Sequence, residues 1–319
     1  MKRPTMKLVG LCFLLLVGFS TSAFAFNIGD VFAGTGSGEV KRFDQAGNLL
    51  QTLTSGDYST YTTGMAFDAA GNLYSTRFND NRVAKFDPSG TFVGYFGSGY
   101  NADVESIVRD ASGNMYAGHA DGNRDILKFD VATGTLQATY DVATGPRGTD
   151  WVDLAADQKT MYYTSEGHEI RRFDVSTNTQ LTSFATGMAG GEAYAFRILA
   201  DGGVLVATTD EVQRLDASGT QVQTYDVAGA NFFFAMNLDP DGTSFWSGDL
   251  DDGDVYKFDI ATGAVLGSFN AGISTALGGL AVFGERTQGG GDTPVPEPAT
   301  LLLFGLGLVG GAIRKRMAK

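Results

Sequence analysis

The sequence predicts an all-β fold: a six-bladed β-propeller of four-stranded blades, closed by its C-terminal strand. Three observations predict it. The first is a strand-like segment that recurs six times: Val40-Lys41-Arg42-Phe43-Asp44, Ala84-Lys85-Phe86-Asp87, Leu127-Lys128-Phe129-Asp130, Arg171-Arg172-Phe173-Asp174, Gln213-Arg214-Leu215-Asp216 and Tyr256-Lys257-Phe258-Asp259. Its Phe (Leu in the fifth copy) falls at 43, 86, 129, 173, 215 and 258, in steps of 42 to 44 residues. A strand-rich period of about 40–50 residues marks a propeller blade. The second is composition: 43% of residues are hydrophobic, with 23 Phe and 12 Tyr, enough for a large core. The third is a strand count one short at the start of the repeats and one over at their end.

Residues 1–25 read as an export leader. Lys2, Arg3 and Lys7 give a basic start, Leu8 to Phe19 an apolar core, and Ala23-Phe24-Ala25 an A-x-A cleavage site. The mature chain then begins at Phe26. The only cysteine, Cys12, lies in the leader and follows Leu11, so lipoprotein processing is not expected. Cleavage leaves no thiol, which excludes disulfides, thiolate metal ligands and a cysteine nucleophile.

The propeller spans 26–284. In its second unit the strands read as Gly64–Phe67, Leu73–Phe78, Arg82–Asp87 and Thr91–Phe96. Asp68 to Asn72, Asn79-Asp80-Asn81 and Pro88-Ser89-Gly90 separate them with turn-forming residues. No amphipathic helix fits between them. The repeated Asp residues 44, 87, 130, 174, 216 and 259 are expected to accept turn hydrogen bonds. A Gly follows them at 47, 90, 134, 219 and 263, and Asn178 stands in the fourth copy, because Asn also tolerates the left-handed conformation.

The first unit lacks an inner strand, since the chain passes from Phe26 straight into Asp30–Thr35, which matches a second strand. Gly279-Leu280-Ala281-Val282-Phe283 resembles Thr63-Gly64-Met65-Ala66-Phe67 and supplies the missing element. Its pairing with the N-terminal strands would remove a free edge and lock the ring. The Gly-rich stretch 285–293 reads as a flexible spacer.

Residues 294–319 hold Pro296-Glu297-Pro298, an apolar run from Ala299 to Ile313 and the cluster Arg314-Lys315-Arg316. The two prolines favour an extended, exposed motif. The apolar run is 15 residues, shorter than the roughly 20 that cross a bilayer untilted. Its eight Leu, Ile, Val and Phe contribute about −2 to −5 kcal/mol to insertion before four glycines are counted, so it reads as a marginal, temporary inner-membrane segment with the basic cluster on the cytoplasmic side. This tail resembles the PEP-CTERM sorting signal. The resemblance implies an exosortase-type protease as partner and a final place at the cell surface or in the extracellular matrix.

Charge narrows the partners. The formal charge is −13, and loss of 1–25 and 299–319 leaves 16 basic against 36 acidic side chains. Such a surface repels nucleic acid and anionic lipid. The stretch Gly71-Asn72-Leu73-Tyr74 with Asn81 to Gly90 is similar to the NHL repeat, and the units ending Phe-Asp-x-Ala-Thr-Gly resemble YVTN-type surface propellers. That resemblance covers about 28–284 and implies architecture, since the fold hosts binders and enzymes alike.

In propellers the loops entering the inner strands surround the channel. Aligning those strands on Asp68, Asp110, Asp157, Asp201 and Asp239 places Asp153 and Arg197 near the channel, with Glu105, Asp150, Glu192 and Asn231 just upstream. Glu105, Asp150, Asp153, Glu192 and Arg197 are the expected mouth. Converging carboxylates there would suit Ca²⁺ or Mg²⁺, with Glu105 and Asp153 as first candidates. Solvated loop charges partly paired with Arg197 are the competing reading. Asp249 to Asp254 has the oxygen density of a calcium loop, but Gly253 and Ile260 stand where ligands belong. Gly34-Thr35-Gly36-Ser37-Gly38 joins two strands and opens no helix, so it is no phosphate cradle. His119 on a second strand and His168 in a turn form no metal-ligand spacing.

Two functions compete. The first is an exported propeller that binds an exopolysaccharide or a matrix protein, with Tyr100, Tyr194, Phe232 and Phe233 near the inner-strand entrances; Phe232 and Phe233 read as core. The second is a divalent-metal-dependent hydrolase or lyase. Gluconolactonase-like propellers use a carboxylate and Asn metal site, which Glu105, Asp153 and Asn231 match loosely. The histidine and glutamate pattern of virginiamycin B lyase-like propellers does not map onto this chain.

Overall fold

The computed structural model describes residues 25–58 and 60–290. They form six four-stranded antiparallel sheets. The first blade holds β1 (Val31–Thr35), β2 (Val40–Phe43) and β3 (Leu49–Leu53). The second holds β4 (Thr62–Phe67), β5 (Leu73–Arg77), β6 (Arg82–Phe86) and β7 (Phe92–Phe96), and the third β8 (Val104–Arg109), β9 (Asn114–His119), β10 (Ile126–Asp130) and β11 (Leu136–Tyr140). The fourth takes β12 (Val152–Leu154), β13 (Thr160–Tyr163), β14 (Glu169–Asp174) and β15 (Thr179–Thr186). The fifth takes β16 (Ala193–Ile198), β17 (Val204–Thr208), β18 (Val212–Leu215) and β19 (Gln221–Tyr225). The sixth takes β20 (Phe233–Leu238), β21 (Ser244–Asp249), β22 (Asp254–Asp259) and β23 (Val265–Asn270).

The last strand, β24 (Leu277–Val282), leaves the sixth blade and pairs with β1 as the inner strand of the first blade. The closure therefore joins the two ends of the ring by backbone hydrogen bonds. Phe26 reinforces it, packing edge-on against Phe32, Phe67 and Phe283. A buried Arg42–Asp30 pair lies beside it, with Arg42 also donating to the Ala25 carbonyl at 2.9 Å.

The repeat has a structural reason. Phe43, Phe86, Phe129, Phe173, Leu215 and Phe258 are all buried and lie in the clusters that fill the gaps between blades. The Lys before the Phe lies over the aromatic ring of the second strand: Lys85 on Tyr74, Lys128 on Tyr116, Lys257 on Trp246. The Asp after it accepts turn N–H groups, as Asp87 does from Ser89 and Thr91 and Asp174 from Ser176 and Thr177. The Ser89 and Ser176 hydroxyls, which donate to the same carboxylates at 2.6 Å, and with them these N–H groups hold the Asp87 and Asp174 carboxyls below the usual carboxylate range. Asn178 has φ 55°, the left-handed value that Gly supplies in the other copies.

Near the axis the inner strands come so close that side chains are excluded. A Cβ on Gly279 would run into the Thr63 carbonyl of the next blade, and one on Gly64 would lie 2.5 Å from the Ser106 Cα. Neither obstacle is a flexible side chain, so the backbones themselves would have to part.

After β24 the chain does not leave the ring at once. Glu285 accepts from Arg197 Nε at 2.9 Å and from the Leu238 N–H at 2.7 Å. Gln158 donates to the Gly289 carbonyl at 2.9 Å, and Arg109 to the Gly290 carbonyl at 2.6 Å. The stretch expected to be a free spacer from 285 thus begins as a strap bonded to blades three, four, five and six. The leader up to residue 24 and the tail from 291, including the apolar run 299–313, lie outside the described residues. Among the described residues no helix is long and apolar enough to cross a membrane.

Gly279→Ala is expected to lower unfolding stability by about 3 kcal/mol through overpacking at the axis. Gly267→Ala on the outer strand β23, where a Cβ meets nothing within 4 Å, is expected to leave it nearly unchanged. Urea unfolding of both variants checks this, and equal effects would contradict the close approach.

Candidate functional site

Every inner strand carries a bulge at the end where the chain enters it. Thr63 and Gly64 together face Thr76. Glu105 is the extra residue between Val104, opposite His119, and Ser106, opposite Gly118. Tyr194 and Ala195 face Ala207, Phe234 is extra in β20, and Gly278 is extra in β24. In the fourth blade Thr164 accepts from the Asp150 N–H at 3.2 Å and donates to the Trp151 carbonyl at 3.0 Å, again two residues against one. A bulge bends its strand and re-aims a side chain. Six bulges around one axis therefore turn a ring of side chains into the mouth.

The result is a cup of about 330 Å³. Tyr61, Phe78, Tyr194, Phe232 and Phe234 give it aromatic walls, and Glu105, Arg147 and Glu166 are its charged lining. Tyr194 is central to the wall, with ring centroids 5.1 Å from both Phe232 and Phe234. Its hydroxyl donates to Glu192 at 2.9 Å.

Glu105 and Asp150, bulge residues of adjacent blades, meet in the floor. They are 2% and 0% exposed, and the Asp150 charge acts on Glu105. Glu105 Oε2 and both Asp150 oxygens have no hydrogen-bond partner. Two ionised carboxylates buried side by side repel, which favours the protonated form of each. Burial, followed by the Asp150 charge, pushes Glu105 well above the usual carboxylate range. Asp150 is pushed up to about 8, by burial and then by the Glu166 charge, against the pull of Arg147. Arg147 is spent elsewhere: it bonds Asp121 at 2.6 Å and Glu166 at 3.0 Å and lies over the Phe78 ring.

The residues expected at one mouth divide between two ends of the channel. Glu105 lines the cup, Asp150 is fully buried behind it, and Glu192 lies beside it through Tyr194. Asn231 is exposed outside, its backbone N–H donating to Asp249 at 2.9 Å. Asp153 and Arg197 sit at the far end. The sequence alignment slipped because Asp157 and Asp201 are not the counterparts of Asp68 and Asp110. Ala155 and Leu199 are, since their N–H groups close the same turn onto Thr160 and Gly203. The two Asp residues lie two positions later, inside those turns, and accept N–H groups there. Asp153 and Arg197 thereby move to the level of Val108 and Asn237, below the strap.

At that end Arg197 bonds Glu285 and Asn237, both at 2.9 Å. Burial lifts Glu285 above the usual carboxylate range in spite of Arg197, and lifts Asp153 to about 6. Both Asp153 oxygens accept backbone N–H groups, from Leu154 at 3.0 Å and Ile198 at 2.9 Å. Glu105 and Asp153 are therefore no ligand pair for Ca²⁺ or Mg²⁺. Among the described residues no three His, Asp or Glu side chains are grouped to hold a metal ion. Asp249 is buried and accepts from Asp251, Asp252 and Asn231, so that acidic stretch is a turn. Tyr100 packs on Phe129, and Phe233 is fully buried, so neither lines the cup. Arg147, Glu166, Tyr61, Phe78 and Phe234 were missed. For Phe234 the available signal was the slip in alternation at the start of its strand.

Fold and tail define an exported β-propeller with a cleavable anchor. Residues 294–316 match the PEP-CTERM protein-sorting motif, a span that includes Pro296, Glu297, Pro298, Arg314, Lys315 and Arg316. The motif marks a chain that is exported and held in the membrane by its C-terminal region until an exosortase processes it. No curated protein matches the chain. Among solved structures, the ring is similar to the WD40 β-propeller domain of Doa1, at 13% identity and a TM-score of 0.59 over 82% of this chain and 84% of that one. It is also similar to a chain of the nidogen/laminin complex, at 16% identity and a TM-score of 0.65 over 79% of this chain and 97% of that one. At such identities the likeness is one of fold.

The raised carboxyl of Asp150 gives a pH dependence. Its contribution to stability is fully present below pH about 4, the range of an unfolded carboxyl, and is lost as pH rises through about 8. Asp150→Asn is expected to raise the melting temperature at pH 9 and change it little at pH 5. Melting curves at the two pH values check this, and a gain confined to pH 5 would contradict it. At the far end, Glu285→Ala leaves Arg197 buried and unpaired. It is expected to cost about 3–5 kcal/mol and to open the strap to limited proteolysis.

Proposed function

We propose that this protein is an extracellular binding module. Its cup is the ligand site, and a polysaccharide of the cell surface or matrix is the ligand. The carrying observation is the cup itself: a concave site of ligand size with aromatic walls and a few polar groups in its floor. Aromatic side chains offer flat apolar area for the C–H faces of a sugar ring, and the carboxyls accept from its hydroxyls. The side chains that would hold a divalent ion for a metal-dependent hydrolase or lyase lie apart, which favours binding over that alternative.

The strap supports a display role. Gly290 is fastened to the face opposite the cup, and the sorting motif begins at 294. Four residues span at most about 14 Å. While the tail is in the membrane, the far end of the ring is therefore held toward it and the cup opens outward. After processing, the same geometry leaves the cup free at the cell surface or in the matrix.

Full-length chain purified in detergent is expected to bind immobilised exopolysaccharide fractions in preference to matrix proteins. Tyr61→Ala, on an exposed wall of the cup, is expected to weaken that binding about ten-fold, or 1.4 kcal/mol. Retention on matrix proteins alone, or binding indifferent to Tyr61, would overturn the reading.

A further inference from the structure

We infer that the cup selects a sugar bearing a free ammonium group, a 2-amino-2-deoxyhexose unit whose nitrogen is not acetylated, and that Glu105, backed by Asp150, receives that nitrogen. The inference rests on the reading of the cup as a polysaccharide site and names its ligand chemistry.

Three observations carry it. The first is unmet hydrogen-bonding capacity. Glu105 is 2% exposed and lines the cup, yet its Oε2 has no hydrogen-bond partner, and neither oxygen of the fully buried Asp150 has one. Buried acceptors without donors are rare and call for a partner. An ammonium brings three N–H donors and a full charge, where a hydroxyl brings one donor and none. Charge-assisted bonds of that kind are the strong ones.

The second observation is the charge balance. Arg147 is the cationic side chain in the lining, and its guanidinium is already shared between Asp121 and Glu166. Glu105, Asp150, Glu166 and Asp121 outweigh it, so the cup favours a cation.

The third is shape. Tyr194, Phe232 and Phe234 form a contiguous aromatic wall beside the carboxyl floor. Such a wall attracts a cation by its ring faces and accepts the apolar face of a pyranose. A lysine side chain is a thin chain that leaves most of 330 Å³ unfilled, whereas a sugar ring fills it and presents its nitrogen from a rigid frame.

The test is calorimetric titration of the full-length chain with a glucosamine tetrasaccharide, its fully N-acetylated counterpart and a lysine-rich peptide. The free-amine sugar is expected to bind at least about thirty-fold more tightly than the acetylated one. Glu105→Gln is expected to erase that preference. Glu166→Gln, which lines the cup but is not in the pair, keeps the test open should the first variant fail to fold, and it is expected to reduce the preference without erasing it. Equal affinity for the two sugars overturns the inference and leaves the polysaccharide reading standing. Tighter binding of the peptide, or no binding of either sugar together with indifference to Tyr61→Ala, overturns both.

Discussion

The structure depends on one constraint: six inner strands must meet around an axis too narrow for ordinary side chains. At Gly279 against Thr63 and at Gly64 against Ser106 the contact is backbone on backbone. Such contact holds only if the ring is closed, since an open arc would let the blades splay. The chain meets that need by spending its last strand on the first blade, where β24 pairs with β1 along five residues. Closure, axial glycines and the interblade aromatic clusters are thus one device. None of them stabilises the ring without the other two.

The same convergence explains the mouth. Strands that crowd at the axis cannot keep regular alternation to their ends, and each accommodates the crowding with a bulge at its start. A bulge frees one residue from the ladder and turns its side chain. In blades two and one that residue is Thr or Gly, which leaves room, while in blades five and six it is Tyr194 or Phe234, which builds a wall. In blades three and four it is Glu105 or Asp150, which makes the floor. The scaffold's own geometric problem supplies six addressable positions, and their identities decide what the ring receives.

Much of this was legible in the sequence. The period, the Phe that fills each interblade gap, the Asp that caps each turn and the spare strand at the end are local signals repeated six times, and repetition made them readable. The site was half legible. Glu105 and Asp150 were placed by their position before an inner strand, but their contact arises from two bulges, which a period-2 pattern does not show. Asp153 and Arg197 were misplaced because in blades four and five the turn-closing position holds Ala155 and Leu199 and the Asp comes two residues later, and two residues preserve the face while changing the end of the channel. Arg147, Glu166 and Phe78 belong to loops whose course follows from the assembled ring, so nothing local announced them.

The distribution of carboxylates separates scaffold from site. Asp87, Asp174 and their counterparts are solvent-facing, receive two or more donors, and lie below the usual carboxylate range. They are ionised acceptors doing structural service. Glu105 and Asp150 are the reverse: buried, short of donors and raised. A fold selected for stability alone would place Asn or Thr there, since an unmet buried acceptor costs about 1–3 kcal/mol. At the far end the chain shows that it can satisfy buried carboxylates, for Asp153 and Glu285 there receive backbone N–H groups and Arg197. The contrast between two ends of one channel locates the unsatisfied chemistry at the end opposite the strap.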